Sequence, residues 1–191
     1  MIIEVELEWY EVALAVKVGC QRRLRSIQQN LRTAGDASGS DPDTWTHNIE
    51  GAIGEMAAAK GLGVYWSGSV DTFKDKLDID NFEIRCRSKH YYELFVRPHE
   101  PQDRWYLLVR GHSANRKGMG KPPIYQLVGV MRGSAAMRPE WLKNPGKGFK
   151  PAYFVPDECL IDIENFLDGD RTPGLVHHFS QGPELSHPNH R

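Results

Sequence analysis

Glu55, Asp78, Glu83 and Arg85 have the types and spacing for phosphodiester chemistry. Glu55 stands in the small-residue run G-A-I-G-E-M-A-A-A-K-G, and Asp78 opens the stretch D-I-D-N-F-E-I-R-C-R-S-K. Hydrolysis of a phosphodiester needs a metal ion to acidify water and to neutralise charge building on phosphorus. Magnesium takes oxygen ligands and usually keeps several waters, so two carboxylates and a carbonyl suffice. Asp78 and Glu83 are the candidate carboxylates and Ile84 the candidate carbonyl, with Asp80 as a reserve acid. Arg85 lies two residues past Glu83, about 6.6 Å along an extended chain at ~3.3 Å per residue. From there a cation reaches the attacking water or the scissile phosphate. Glu55 is placed to complete the outer shell of the ion. The plainer alternatives are a surface ion pair between Glu83 and Arg85, and an ordinary exposed helix glutamate at position 55.

These residues need a helix, a turn and a strand to position them. The spacing predicts a helix from about Thr46 to Leu62, capped by Thr44 or Thr46 and entered through Trp45. Gly51 and Gly54 each cost that helix roughly 1 kcal/mol relative to alanine, which implies close approach of another backbone. Residues 82–88 read as a strand. Period two then puts Phe82, Ile84 and Cys86 on one face and Glu83, Arg85 and Arg87 on the other. A longer helix is expected over Glu11–Leu31, with Val12, Val16, Cys20, Leu24, Ile27 and Leu31 as its buried stripe. Its Arg22, Arg23 and Arg25 form either a solvated face or a phosphate-contacting ridge.

Residues 1–8 alternate as a half-buried edge strand, and 64–66 read as another short strand. Residues 91–96 and 105–110 are expected to pair as a hairpin through the turn H-E-P-Q-D. W-Y-L-L-V is apolar enough for a central strand. Further strands are expected at 124–131 and 152–155, a helical turn at 139–142, and a last short element at 159–167. Together they predict a mixed α/β fold, a central sheet flanked by helices, within one domain over residues 1–167. Residues 168–191 read as a weakly ordered tail in which His177 and His178 are incidental. Two basic loops, one with Arg116, Lys117 and Lys121 and one with Lys147 and Lys150, are expected to flank the site and contact phosphates.

Composition narrows the classes. Over 191 residues, 40% are hydrophobic and 10% aromatic, enough for a sizeable core. A net charge of −1 argues against coating nucleic acid through bulk positive charge, so phosphate contacts must be local. Cys20, Cys86 and Cys159 have neither a disulfide framework nor zinc spacing, which points to a reducing cytoplasm. There is no apolar run of membrane-spanning length and no basic signal-peptide start, so no membrane partner is expected.

Taken together, Glu55, Asp78 and the triplet Glu83-Ile84-Arg85 resemble the PD-(D/E)XK nuclease superfamily. The stretch D-I-D-N-F-E-I-R resembles its phage and recombination-type members. E-G-A-I-G-E-M-A, Y-W-S-G-S-V, R-P-E-W-L and P-A-Y-F-V-P resemble small phage and prophage proteins across residues 45–160. The resemblance implies a restriction-endonuclease-like core and DNA cleavage dependent on Mg2+ or Mn2+, in the cytoplasm of a host cell. The sequence departs from the pattern at Arg85, where the family has lysine. Arginine keeps its proton, so it holds or orients but is no general base. Lys89 has the right parity but lies about 13 Å further on at ~3.3 Å per residue. Two alternatives therefore stand beside catalysis. One is a silent nuclease-like protein that binds DNA or a host protein, as a modulator of host defence. The other is a virion or assembly component.

Overall fold

A computed structural model describes residues 2–29, 44–70, 78–79, 81–111, 120–144 and 150–169. The chain runs β1 (Ile3–Glu6), α1 (Trp9–Gln28), α2 (Thr44–Leu62), β2 (Phe82–Arg87), β3 (Leu94–Val96), β4 (Trp105–Gly111), β5 (Ile124–Arg132), α3 (Gly133–Ala136), β6 (Leu142–Lys143), β7 (Ala152–Val155), β8 (Ile161–Asp162) and α4 (Ile163–Gly169). The main sheet has the order β1-β5-β4-β2, with β8 added to β5. Strands β2 and β4 are parallel, and the other pairings in it are antiparallel. A second sheet, β3-β7-β6, is wholly antiparallel. The fold is thus mixed α/β, as the sequence predicts.

The apolar run of β4 explains the layering. Leu107 and Val109 point into one core with α1 and α2, while Tyr106 and Leu108 point into another with Leu94, Val96 and Val155 of the second sheet. A strand covered on both faces needs no polar face, hence W-Y-L-L-V. Helix α2 is buried without interruption from Ala52 to Ala59, because it lies between α1 and the sheet. Small residues are what allow so close a fit. A Cβ on Gly54 would stand 2.4 Å from the Cβ of Cys86 and 2.7 Å from its sulfur. The close approach expected at Gly54 is therefore present, whereas Gly51 has open space around it. Gly54→Val should lower stability by about 2–3 kcal/mol through overpacking, read as a fall in the urea midpoint. An unchanged midpoint would mean that β2 and α2 separate freely.

Several expectations are corrected. Residues 91–96 and 105–110 form no hairpin: β3 pairs with β7 in the second sheet, and β4 pairs with β2 and β5. Parallel β2 and β4 require a crossover between them, and β3 lies within it. Residues 64–66 form no strand. In α1 the buried positions are Ala15, Val18, Gly19 and Ser26, while Leu24 and Ile27 are 48% and 51% exposed. Contact with α2 selects small residues over large ones. A Cβ on Gly19 would lie 2.6 Å from the Cα of Ile49, so the backbones meet there. Leu31, Asp80, Arg116, Lys117, Lys147, His177 and His178 lie outside the described residues.

Candidate active site

Glu55 is buried near the middle of α2, 5% exposed, and does not face open solvent. Both of its oxygens accept from the Arg22 guanidinium, at 2.5 and 2.7 Å, and the Trp66 indole N–H donates at 3.1 Å. Arg22 in turn donates through Nε to the Ser69 carbonyl at 2.9 Å. Burial works against the Arg22 charge, but Glu55 and the more distant Asp78 outweigh it and raise its pKa. A side chain read as part of a basic outer ridge thus turns inward.

Asp78 sits just before β2, and its Oδ2 accepts the Ile84 backbone N–H at 2.8 Å. That bond ties the acid to the strand whose side chains it must meet. Burial lifts the Asp78 pKa to about 6, helped by the charges of Glu55 and then Glu83; the Ile84 N–H and Arg85 oppose the rise. Glu55 and Glu83 thus each bear on Asp78, which is the acidic locus at the head of β2.

Glu83, Arg85 and Arg87 share the strand face that looks toward the second sheet. Glu83 is ion-paired to Arg104, with Arg85 3.7 Å away. Arg85 is bonded to Glu100 at 2.8 Å and donates to the Ile84 carbonyl at 3.2 Å. Its guanidinium lies over Tyr106 at 4.9 Å and Phe95 at 5.6 Å. Burial disfavours this charge, and Glu100, Glu83 and Asp78 together more than restore it. Glu83 and Arg85 are thus 15% and 14% exposed, unlike an open surface pair. Lys89 does not stand in for Arg85: its ammonium rests against Tyr91 and Tyr92, beyond the end of β2. Lys121 and Lys150 are exposed.

The chain matches no known family, no curated protein and no solved structure. Among the described residues no group of three His, Cys, Asp or Glu side chains is arranged as a metal site. No helix among them is long and apolar enough to cross a membrane.

Sequence reasoning missed Arg22, Trp66, Arg104 and Glu100. Arg22 carried a signal: it continues the small-residue stripe of Ala15, Val18 and Gly19, and a cation on a buried stripe needs an acid. Glu100 carried none, since it reaches Arg85 only through the folding of the crossover.

Asp78 makes the stability of the metal-free protein depend on pH. An acid whose pKa is higher folded than unfolded takes up protons on folding, so its ionisation opposes the fold. Stability present below an ordinary pKa near 3.8 is lost as pH rises through about 6. The loss is about 2–3 kcal/mol, at ~1.36 kcal/mol per pKa unit. Asp78→Asn keeps an oxygen for the Ile84 N–H and removes the ionisation. Urea midpoints at pH 4 and pH 7 should converge in that variant and differ in the wild type. Equal pH dependence in both would refute the assignment.

Proposed function

We propose that this protein is a metal-dependent nuclease of the PD-(D/E)XK type that hydrolyses DNA phosphodiesters, with Arg85 in the place of the usual lysine. The observation that carries the reading is Asp78. It is a buried carboxyl bonded to the backbone of β2 and raised to about 6 by burial and by Glu55 and Glu83. Such a locus gains when a divalent cation enters it.

The residues present fit magnesium, which is held in many sites by only one or two carboxylates beside waters and substrate oxygens. Asp78 and Glu83 would hold Mg2+ or Mn2+, with the Ile84 carbonyl as a further oxygen once Arg85 releases it. When bound, the ion supplies an acidified water and neutralises charge on the reacting phosphate. Arg85 stays protonated, so its part is to hold a phosphate oxygen while Glu100 fixes its orientation. Arg104 exchanges Glu83 for phosphate in the same way. Glu55 stays with Arg22 and Trp66; it sets the field at Asp78 and does not act as a ligand. Lys121 and Lys150 extend phosphate contacts outward. The host-cell cytoplasm is the compartment this reading implies.

A second reading is a silent nuclease-like protein that binds DNA or a host protein. It is favoured by Glu55, Glu83 and Arg85 all being engaged in ion pairs. A plasmid-nicking assay with Mg2+ and Mn2+ separates the two. Cleavage by the wild type should vanish in Asp78→Ala. Robust cleavage by Asp78→Ala, with contaminating nuclease excluded, would remove Asp78 from the site. Binding without cleavage by the wild type would favour the silent reading.

A further inference from the structure

Past the acidic locus, β2 leads into a second cluster that the hydrolytic chemistry does not use. Arg87 follows Arg85 on the same strand face, and its guanidinium lies over the rings of Tyr92 at 4.5 Å and Phe95 at 5.0 Å. Its Nε is buried without a hydrogen-bond partner. None of the ion pairs among the described residues includes Arg87. Burial lowers its pKa and the Arg110 charge adds to that, against the opposing influence of Tyr92, Cys86 and Glu50. Arg110 is itself taken by Asp157 through two bonds of 2.6 Å. Glu50 acts on Arg87 from beyond ion-pair distance, so a partly buried cation here still gains when a further negative group reaches it.

The surroundings indicate what arrives. Lys89 is half-buried, with its ammonium 5.2 Å from the Tyr92 ring and 5.8 Å from the Tyr91 ring. Tyr91 meets His90 and Tyr92 edge-on, at 5.3 and 5.0 Å between ring centres, and is still 57% exposed, so part of its ring is open to a ligand. Glu93, close by in sequence, is occupied by Lys143 at 3.1 Å. Cations interleaved with an open aromatic ring match a strand whose bases are unstacked. Duplex DNA would use the charges but leave the ring idle.

We propose that Arg87, Lys89, Tyr91 and Tyr92 form a platform for single-stranded nucleic acid, with a base stacked on Tyr91 and phosphates paired to Lys89 and Arg87. This deepens the nuclease reading, on which it rests for the fate of the strand, because β2 then links the platform to Asp78 and Glu83.

The test is fluorescence anisotropy in EDTA with a labelled oligothymidylate, the same length of oligouridylate, and a duplex of that length. The wild type should bind single strands more tightly than duplex. Tyr91→Ala alters an exposed ring and should leave the thermal melt unchanged, yet weaken single-strand binding about 5- to 100-fold. Lys89→Ala should reduce the salt slope by about 0.7. Equal binding of the deoxy and ribo strands would assign the platform to bases and phosphates alone. The proposal falls if the wild type prefers duplex, if it binds no single strand, or if Tyr91→Ala binds as tightly as wild type. It also falls if polyglutamate competes as well as oligothymidylate, since the cluster would then be an acidic-protein site. Nicking with Mg2+ is assayed in parallel. Cleavage without Tyr91-dependent binding sinks the platform alone, and Tyr91-dependent binding without cleavage sinks the nuclease reading alone.

Discussion

Arg22→Met should unfold this protein at a markedly lower urea concentration than wild type, with a loss of about 3–5 kcal/mol. The substitution leaves the Glu55 carboxylate at 7% side-chain exposure, bonded only to the Trp66 indole and acting on the ionised Asp78. Removing one member of a buried pair costs far more than the pair contributes, because the stranded charge keeps its desolvation penalty. For a chain of this size each 1 kcal/mol shifts the melting temperature by about 2–4 °C, so the drop is on the order of 10 °C. Replacing both partners, Arg22→Met with Glu55→Leu, should recover most of the loss, since an apolar pair of similar volume is often neutral or better. The non-additivity of this cycle identifies the pair as the cause. A loss under about 1 kcal/mol in Arg22→Met would mean that water reaches Glu55 and that α1 does not seal it.

The second large effect concerns Arg85. In an active nuclease, Arg85→Lys should retain or raise Mg2+-dependent cleavage, because lysine restores the family's usual group at the same strand position. It should also cost some stability, since an ammonium cannot span Glu100 and Glu83 as the guanidinium does. Arg85→Ala should abolish cleavage and destabilise by about 1–3 kcal/mol, because Glu83 keeps Arg104 and Glu100 keeps Arg97 while both lose the guanidinium between them. If the protein is a silent binder, both variants alter stability alone, and Arg85→Lys creates no cleavage. Rates from plasmid nicking, set beside urea midpoints for the same variants, separate the outcomes. Cleavage by Arg85→Ala at the wild-type rate would exclude any role for this side chain in holding phosphate.

The elements were legible where local pattern and burial agree. Alternation of Phe82, Ile84 and Cys86 with Glu83, Arg85 and Arg87 fixed which side chains share a face of β2, and the two faces enter different surroundings as that parity demands. The unbroken apolar run of β4 marked it as a strand covered on both sides. Gly54 in a helix marked a close contact, which is Cys86. These features depend on residues a few positions apart, where backbone geometry alone sets direction.

Tertiary structure decided the partners. Whether Arg22 faced water or Glu55 turned on how α1 lies on α2, and apolar content marked only the first half of the stripe, Val12 and Val16, because close packing favours Ala15, Val18 and Gly19 over Leu24 and Ile27. The turn at residues 99–103 looked like the tip of a hairpin. It instead carries Glu100 to Arg85 and presents the Pro101 carbonyl to the Tyr106 hydroxyl at 2.9 Å. Strand pairing and ion pairing join residues far apart in sequence, such as Arg110 with Asp157. Their energy depends on which surfaces the whole chain brings together, and a window of neighbouring residues carries no record of that. The sequence therefore determined which groups are available for chemistry at the head of β2. The fold decided that Glu55 is held by Arg22, that Arg85 is held by Glu100, and that Asp78 is buried beside the Ile84 N–H with its pKa raised.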